Sequence, residues 1–320
     1  MKRLSLLVGL LATAAVASAA SADRTVTSAG KVLALARSSN SVAFLSGPYK
    51  GHCGPQVDLW NLATGGVHKL GRLTDLQCRD KPSTGSGITD LAVASNRAVW
   101  LTYAGGNLRD WILYTATTTK PTERQLEFKE VDVDAPSPIV LGTASDAVIP
   151  YSIGSTVKVL AADGHQLYTW QAPGAVTNTT SYRQEVAVFV RGGRCYVLAP
   201  SGSVLAMYAF PPGAVQEFAL GGKGLVVQLP GGRIEIRNGH HVRAFSIPPQ
   251  GKMLDYAENT LLYRVGNAVH GRFVGSGKDA VLRHATLAVL ESNGMSYAVA
   301  NHVYSIAWVT VTAAINRLSG

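Results

Sequence analysis

Read by its apolar and polar positions, the chain is a train of short apolar stretches, each broken by a small polar turn and resumed in alternation. The turns fall near Asn40, Asn96, Asp146, Glu185, Lys223, Asn259 and Asn293. Alternation of period two marks strands with one face buried. Two copies superimpose at one constant offset: Asn259, Tyr263, Val265, Asn267 and Val269 fall on Asn293, Tyr297, Val299, Asn301 and Val303. Ser39-Asn40 leading to Phe44 and Ser95-Asn96 leading to Trp100 repeat the motif. Asn suits such turns because it tolerates left-handed backbone angles and bonds its own main chain.

A second signal lies in the outer half of each repeat. Asp163-Gly164, Ser201-Gly202, Asn238-Gly239 and Ser276-Gly277 each separate two apolar runs, with the glycines 38, 37 and 38 residues apart. Gly after Asp or Asn between alternating apolar residues predicts a hairpin. Each repeat therefore reads strand, turn, strand, loop, strand, Gly turn, strand. Four-stranded units recurring every roughly 35–55 residues predict an all-β chain folded as a single β-propeller. Seven blades are expected, with six as the alternative if the last copy merges with the N-terminus. An open edge would invite aggregation, so the ring needs a closing strand. Arg24–Ser28 and Ala313–Leu318 compete for that place, and the reading leans to the N-terminal one. Val303–Ile315, apolar but dotted with Ser and Thr, reads as strand, and no helical periodicity exceeds about two turns.

The runs Val57-Asp-Leu-Trp60-Asn-Leu-Ala-Thr-Gly65 and Cys195-Tyr-Val-Leu-Ala-Pro-Ser-Gly202 resemble the outer hairpins of WD40-like and PQQ-like propeller repeats. The resemblance covers nearly all of the chain after its first residues and concerns architecture. It implies scaffolds and binding proteins with a minority of enzymes, so it carries no particular function. Its quinone-dependent members would imply a quinone site with a bound metal, and no constellation for one is seen.

Composition agrees with this architecture: Gly is abundant at 33 residues, and charged residues make up only 15%. The N-terminus has a separate meaning. Met1-Lys2-Arg3 is basic, Leu4–Val16 is almost wholly apolar, and Ala17-Ser18-Ala19 and Ala20-Ser21-Ala22 offer two cleavage points near Ala19 or Ala22. That layout predicts a secretory signal peptide over 1–22, a propeller over 23–320, and a secreted protein, extracellular or periplasmic. The apolar segment is too short for a membrane span. Without Lys2 and Arg3 the formal charge falls from +9 to +7. The basic residues are scattered, without the interleaved aromatics that nucleic acid would want, so no nucleic-acid partner is expected, and the chain reads as a monomer.

Extra residues are confined to the first three repeats: Ser46–Gln56, Gly71–Gly87, Ala104–Asp110 and Glu127–Pro138. All four are read as loops emerging on one face of the ring, where long loops are commonly functional. Export permits a disulfide, and Cys53 and Cys78 lie in the first two loops. Tyr49, Lys50, His52, Arg79, Asp80 and Lys81 flank them, and Arg109, Asp110 and Trp111 follow. Aromatic and basic groups together suit an anionic or carbohydrate ligand. Cys195, at the head of an apolar run, reads as a small core residue.

Catalytic signatures are weak. His240-His241 flanks a Gly turn, where adjacent residues point apart, and reads as an exposed hairpin tip. Glu127, Glu130, Asp132 and Asp134 form an acidic run without a calcium-loop pattern and read as a polar linker between repeats. No nucleophile elbow, zinc helix or phosphate loop appears. A pair of carboxylates distant in sequence would suffice for glycoside hydrolysis, and Asp90, Asp146 and Asp255 sit at inner positions that approach the axis. The expectation is a binding module without cofactor or metal, its partner an envelope protein or an anionic or carbohydrate polymer. The alternative is an extracellular hydrolase or lyase working at the channel mouth.

Overall fold

The computed structural model describes residues 23–47, 54–72 and 86–317. Their strands form seven four-stranded antiparallel sheets arranged as the blades of a propeller. β1 (Arg24–Thr27) comes first in the chain and belongs to the last blade. Blade 1 holds β2 (Val32–Arg37), β3 (Ser41–Ser46), β4 (Gln56–Asn61) and β5 (Val67–Arg72). Blade 2 holds β6 (Gly87–Ala94), β7 (Arg97–Gly105), β8 (Leu108–Thr117) and β9 (Arg124–Asp132). In blade 3 come β10 (Ile139–Leu141), β11 (Val148–Ile153), β12 (Thr156–Ala161) and β13 (Gln166–Gln171). Blade 4 follows with β14 (Val176–Tyr182), β15 (Glu185–Val190), β16 (Arg194–Leu198) and β17 (Val204–Ala209). Blade 5 is β18 (Glu217–Gly221), β19 (Gly224–Leu229), β20 (Arg233–Asn238) and β21 (His241–Ser246). Blade 6 is β22 (Lys252–Ala257), β23 (Thr260–Val265), β24 (Ala268–Phe273) and β25 (Asp279–His284). Blade 7 contributes β26 (Leu287–Glu291), β27 (Gly294–Val299) and β28 (His302–Ala307), and α1 (Trp308–Arg317) follows.

Every polar turn picked out by the repeat lies between the first two strands of a blade, at one end of the ring. There the carbonyls of Asn40, Asn96, Asn259 and Asn293 accept the N–H of Leu62, Thr118, Val274 and Trp308, the residues just past the third strands (2.8, 3.4, 3.0 and 3.0 Å). Each inner hairpin is thus tied to its own outer hairpin. The left-handed angles fall one residue earlier than the asparagines, on Ser95 and Glu258 (φ 51° in both). The outer hairpins do turn on glycine: Gly164, Gly202, Gly239 and Gly277 have φ of 91°, 83°, 56° and 76°, angles at which a Cβ is strained.

The ring closes through the N-terminal candidate. β1 pairs antiparallel with β28, Val26 facing Val303 and Thr27 facing His302. The competing segment is helical as far as Arg317, which corrects two expectations: the strand read over Val303–Ile315 stops at Ala307, and a ten-residue helix follows. β-Branched Val309, Thr310, Val311 and Thr312 favour a strand locally. Burial of Val311 and Ile315, one helical turn apart, against Leu282, Leu290 and Met295 overrides that preference. Apolar clusters fill the spaces between neighbouring blades, with Trp60, Trp100 and Phe44 among the largest fully buried side chains. Cys195 is a free, fully buried thiol in one of them, and burial pushes its pKa well above the usual thiol range.

Candidate functional site

The predicted loop face is the end of the ring where second strands pass to third strands. Tyr49, Lys50, His52, Cys53, Cys78, Arg79, Asp80 and Lys81 lie outside the described residues, and with them the Cys53–Cys78 pairing. The described chain enters and leaves these segments at Gly47, Gly54, Arg72 and Ser86, at that same end. The other two insertions are largely strand, a correction with a clear physical basis: Ala104–Asp110 is strand but for its two-residue tip, and Glu127–Pro138 is strand as far as Asp132 and loop beyond it. β7, β8 and β9 run on for nine, ten and nine residues, whereas the second strand of blade 3 has six. Their ladder continues without a break from Leu101–Leu113 to Gly105–Arg109 and from Trp111–Lys129 to Leu108–Asp132. Alternating Tyr103, Arg109, Trp111, Lys129 and Val131 made this possible, because directly paired residues share a face. At the tip, Gly105 has φ 136°, and a Cβ there would lie 2.2 Å from the Leu108 carbonyl oxygen.

This raised flap has two chemically distinct sides. Tyr103, Arg109, Trp111, Lys129 and Val131 face blade 3. Tyr103 and Trp111 rings meet at 5.5 Å, and the Arg109 guanidinium lies 5.0 Å over Tyr103. Trp111 is only 7% exposed; it is packed among Leu101, Leu113 and Tyr151 and supports the layer without reaching its surface. Its indole N–H has no hydrogen-bond partner among the described residues. Below the flap, Glu127 accepts hydrogen bonds from Tyr151 (2.9 Å) and Lys158 (2.6 Å), joining blades 2 and 3. The opposite side presents Asp110, Glu130 and Asp132, interleaved with exposed Leu108 and Phe128. The acidic run read as a linker therefore belongs largely to β9. Tyr103 and Lys129 were missed from sequence because each acquires its place only through cross-strand pairing with Trp111.

Along the axis the inner strands enclose a cavity of about 130 Å³ lined by Arg37, Tyr182, Asp255, Tyr256 and Glu291 among others. Asp255 accepts N–H bonds from Tyr256 and Leu290, both 2.8 Å. Burial outweighs these bonds and raises its carboxyl to about 6. Glu291 is raised to about 7, first by burial and then by the carboxylates of Asp146 and Asp255. Arg37 does not neutralise them by direct pairing: it donates to Ser296 (2.6 Å), Ser305 (2.7 Å) and Asn293 (3.0 Å) in blade 7, and burial lowers it to about 10. Asp146 reaches across blade 2 to accept the Ser39 N–H, while Asp90 is exposed on β6. Tyr182 crosses blade 5 to donate to Glu258 at 2.8 Å. Burial, then Tyr182 and Glu258, push the Tyr256 hydroxyl above the ordinary range.

Outside these bridges, on the turn face, a cleft of about 1020 Å³ runs over blades 3 to 6, bordered by Asp146, Tyr182, Arg183, Gly222, Lys223, Asn238 and Glu258 among others. Sequence reading found its turns but not the cleft, whose single local signal is Gly221-Gly222 where other blades carry side chains. Among the described residues, no group of three or more His, Cys, Asp or Glu is placed to hold a metal, and no helix is long and apolar enough to cross a membrane. His240 and His241 are exposed at a hairpin end.

No family model matches the sequence, and no curated protein matches it. Solved structures do match in shape. A chain from the crystal structure of the mitotic checkpoint complex superimposes with TM-score 0.56 at 12% identity, over 89% of this chain and 94% of that one. Raptor from Chaetomium thermophilum gives 0.50 at 14% identity, over 89% of this chain and 29% of that one. PorZ, a surface component of the type-IX secretion system of Porphyromonas gingivalis, gives 0.50 at 12% identity, over 89% and 39%. At these identities the likeness extends to the fold alone: the chain is a seven-bladed β-propeller of WD40-like architecture.

Proposed function

We propose that the protein is an exported, non-enzymatic binding module that engages an envelope protein or an anionic or carbohydrate polymer through the loop face of blades 1 to 3. The observation that supports this reading most strongly is the raised flap of blade 2. It stands about three residues, or about 10 Å, above the strands of its neighbour. It brings Tyr103, Arg109 and Lys129 to one side on a rigid ladder, and ladders hold a contact surface more firmly than loops do. A tyrosine ring flanked by cations offers a stacking surface for sugar rings and charge for anionic groups. Cys53 and Cys78 lie outside the described residues; a Cys53–Cys78 bond would tie together the two segments that carry them.

The test is a pull-down from the envelope fraction comparing wild type with Arg109→Glu/Lys129→Glu, each shown to melt cooperatively. A protein or glycan kept by wild type and lost by the variant supports the reading. Equal retention by both moves the contact off the flap. Export is checked by the mature N-terminus, expected near Ala19 or Ala22, and the disulfide by mass spectrometry of unreduced peptides. An intact leader on the protein recovered from the envelope would count against secretion.

A further inference from the structure

The opposite end of the ring carries a second surface. Two residues from blades that are not neighbours, Tyr182 of blade 4 and Glu258 of blade 6, meet across blade 5. They fit because blade 5 has no side chains there. A Cβ on Gly222 would lie 3.2 Å from the Tyr182 hydroxyl and 3.5 Å from Glu258 Oε2, and one on Gly221 would lie 2.4 Å from the Tyr256 ring. Neither glycine has a left-handed φ, so the backbone does not require glycine at either position. What their absence of side chains provides is space. Beside that space the Tyr256 hydroxyl, on a residue 2% exposed, has no hydrogen-bond partner among the described residues.

Charge differs with depth. Lys223 stands exposed on its turn at the rim, and Arg183, also exposed, lies with its guanidinium 5.3 Å over the Tyr182 ring. Asp146 and Glu258 are half-buried, with Asp255 and Glu291 on the cavity beyond. Exposed cations are screened by solvent, whereas half-buried carboxylates project their field into the cleft. Arg37, on the axial cavity, spends its hydrogen bonds on three neutral acceptors in blade 7 and acts on Glu291 and Asp146 through its charge alone. The walls add the amides of Asn238, Asn259 and Gln184, each of which both donates and accepts, as a peptide backbone requires.

We propose that this cleft on the turn face binds a partner polypeptide by one inserted Lys or Arg side chain, its charge directed at Glu258 and Asp146 and its backbone held by the wall amides. This goes beyond the proposed function, which uses the other face, and neither depends on the other.

The probe is acetylated, amidated tri-arginine titrated into the full chain by calorimetry at low salt, with tri-glutamate of the same form as control. The chain carries a formal net charge of +9, or +7 without Lys2 and Arg3, so the diffuse field repels tri-arginine and attracts tri-glutamate. Saturable one-to-one binding of tri-arginine is expected, weakened about five- to tenfold by Glu258→Gln and lost in Gly222→Leu. Asp134→Asn, on the loop face, is expected to leave it unchanged. No saturable binding of tri-arginine overturns the proposal, as does equal weakening by Glu258→Gln and Asp134→Asn. If Gly222→Leu does not fold, Glu258→Gln and Asp134→Asn decide it alone.

Discussion

Blades 2 and 5 follow one plan and depart from it in opposite directions. Blade 2 adds ladder at the loop face, carrying a tyrosine, cations and carboxylates out of the ring. Blade 5 removes side chains at the turn face, and residues of blades 4 and 6 close over the hollow. In both, the strands that carry the departure remain packed by the same interblade apolar clusters. A propeller can therefore vary one end of one blade while the rest of the ring holds the core, because each blade packs chiefly on its two neighbours.

The contrast within blade 2 gives the largest expected effect. Trp100, in the lower half of β7, is 1% exposed, and Trp100→Ala should cost about 3–5 kcal/mol in urea unfolding. Leu108→Ala and Phe128→Ala, on the flap at 46% and 45% exposure, should each cost no more than about 0.5 kcal/mol. Comparable losses from both sets would make the flap part of the core and remove its claim to be a projecting surface. Blade 5 supplies the next effect. Gly224 has φ 111°, and its Cβ would lie 2.3 Å from the Arg237 carbonyl oxygen, so Gly224→Ala should cost about 2–3 kcal/mol. Gly213 is also left-handed (φ 73°) but has nothing within 4 Å of a Cβ, and Gly213→Ala should cost about 1 kcal/mol. Equal melting temperatures for the two variants would show that the blade 5 hairpin yields readily.

The same contrast explains what was legible in sequence. Repetition was: seven polar turns, four spaced glycines and a closing N-terminal strand follow from local rules applied over and over. The departure of blade 2 was legible only as extra residues. Ala104–Asp110 and Glu127–Pro138 announced themselves by length, yet how far they looped or laddered depended on pairing between segments some 20 residues apart. α1 was missed because β-branched residues speak for a strand until the groove that accepts Val311 and Ile315 is known. The axial groups were half visible. Asp146 and Asp255 were recognisable as inner positions, but Glu258 and Tyr182 gain meaning only when blade 5 is seen to leave room between them. Of the loop-face candidates, Arg109 is placed beside Tyr103, and Trp111 is placed beneath it.

The smallest effect tests the axial carboxylates, which belong to the hollow side of the comparison. Asp255 and Glu291 are raised from 3.8 and 4.5 to about 6 and about 7 in the folded chain. A carboxyl with a raised folded-state value binds its proton more tightly folded than unfolded. Its contribution to stability is therefore fully present below the unfolded value and is lost as pH rises through the folded one. Stability should fall between about pH 4 and pH 7.5, by about 1–2 kcal/mol once solvent in the channel is allowed for. Melting temperature should then be several degrees lower at pH 7.5 than at pH 5. Asp255→Asn should flatten that slope, because the amide oxygen still accepts one of the two N–H bonds but nothing titrates. Asp134→Asn, exposed on the loop face, should leave the slope as it is. A melting temperature that climbs from pH 5 to 7.5 would mean that the axial carboxylates are compensated within the folded chain, and the hollow side would then offer no field for a cation to answer.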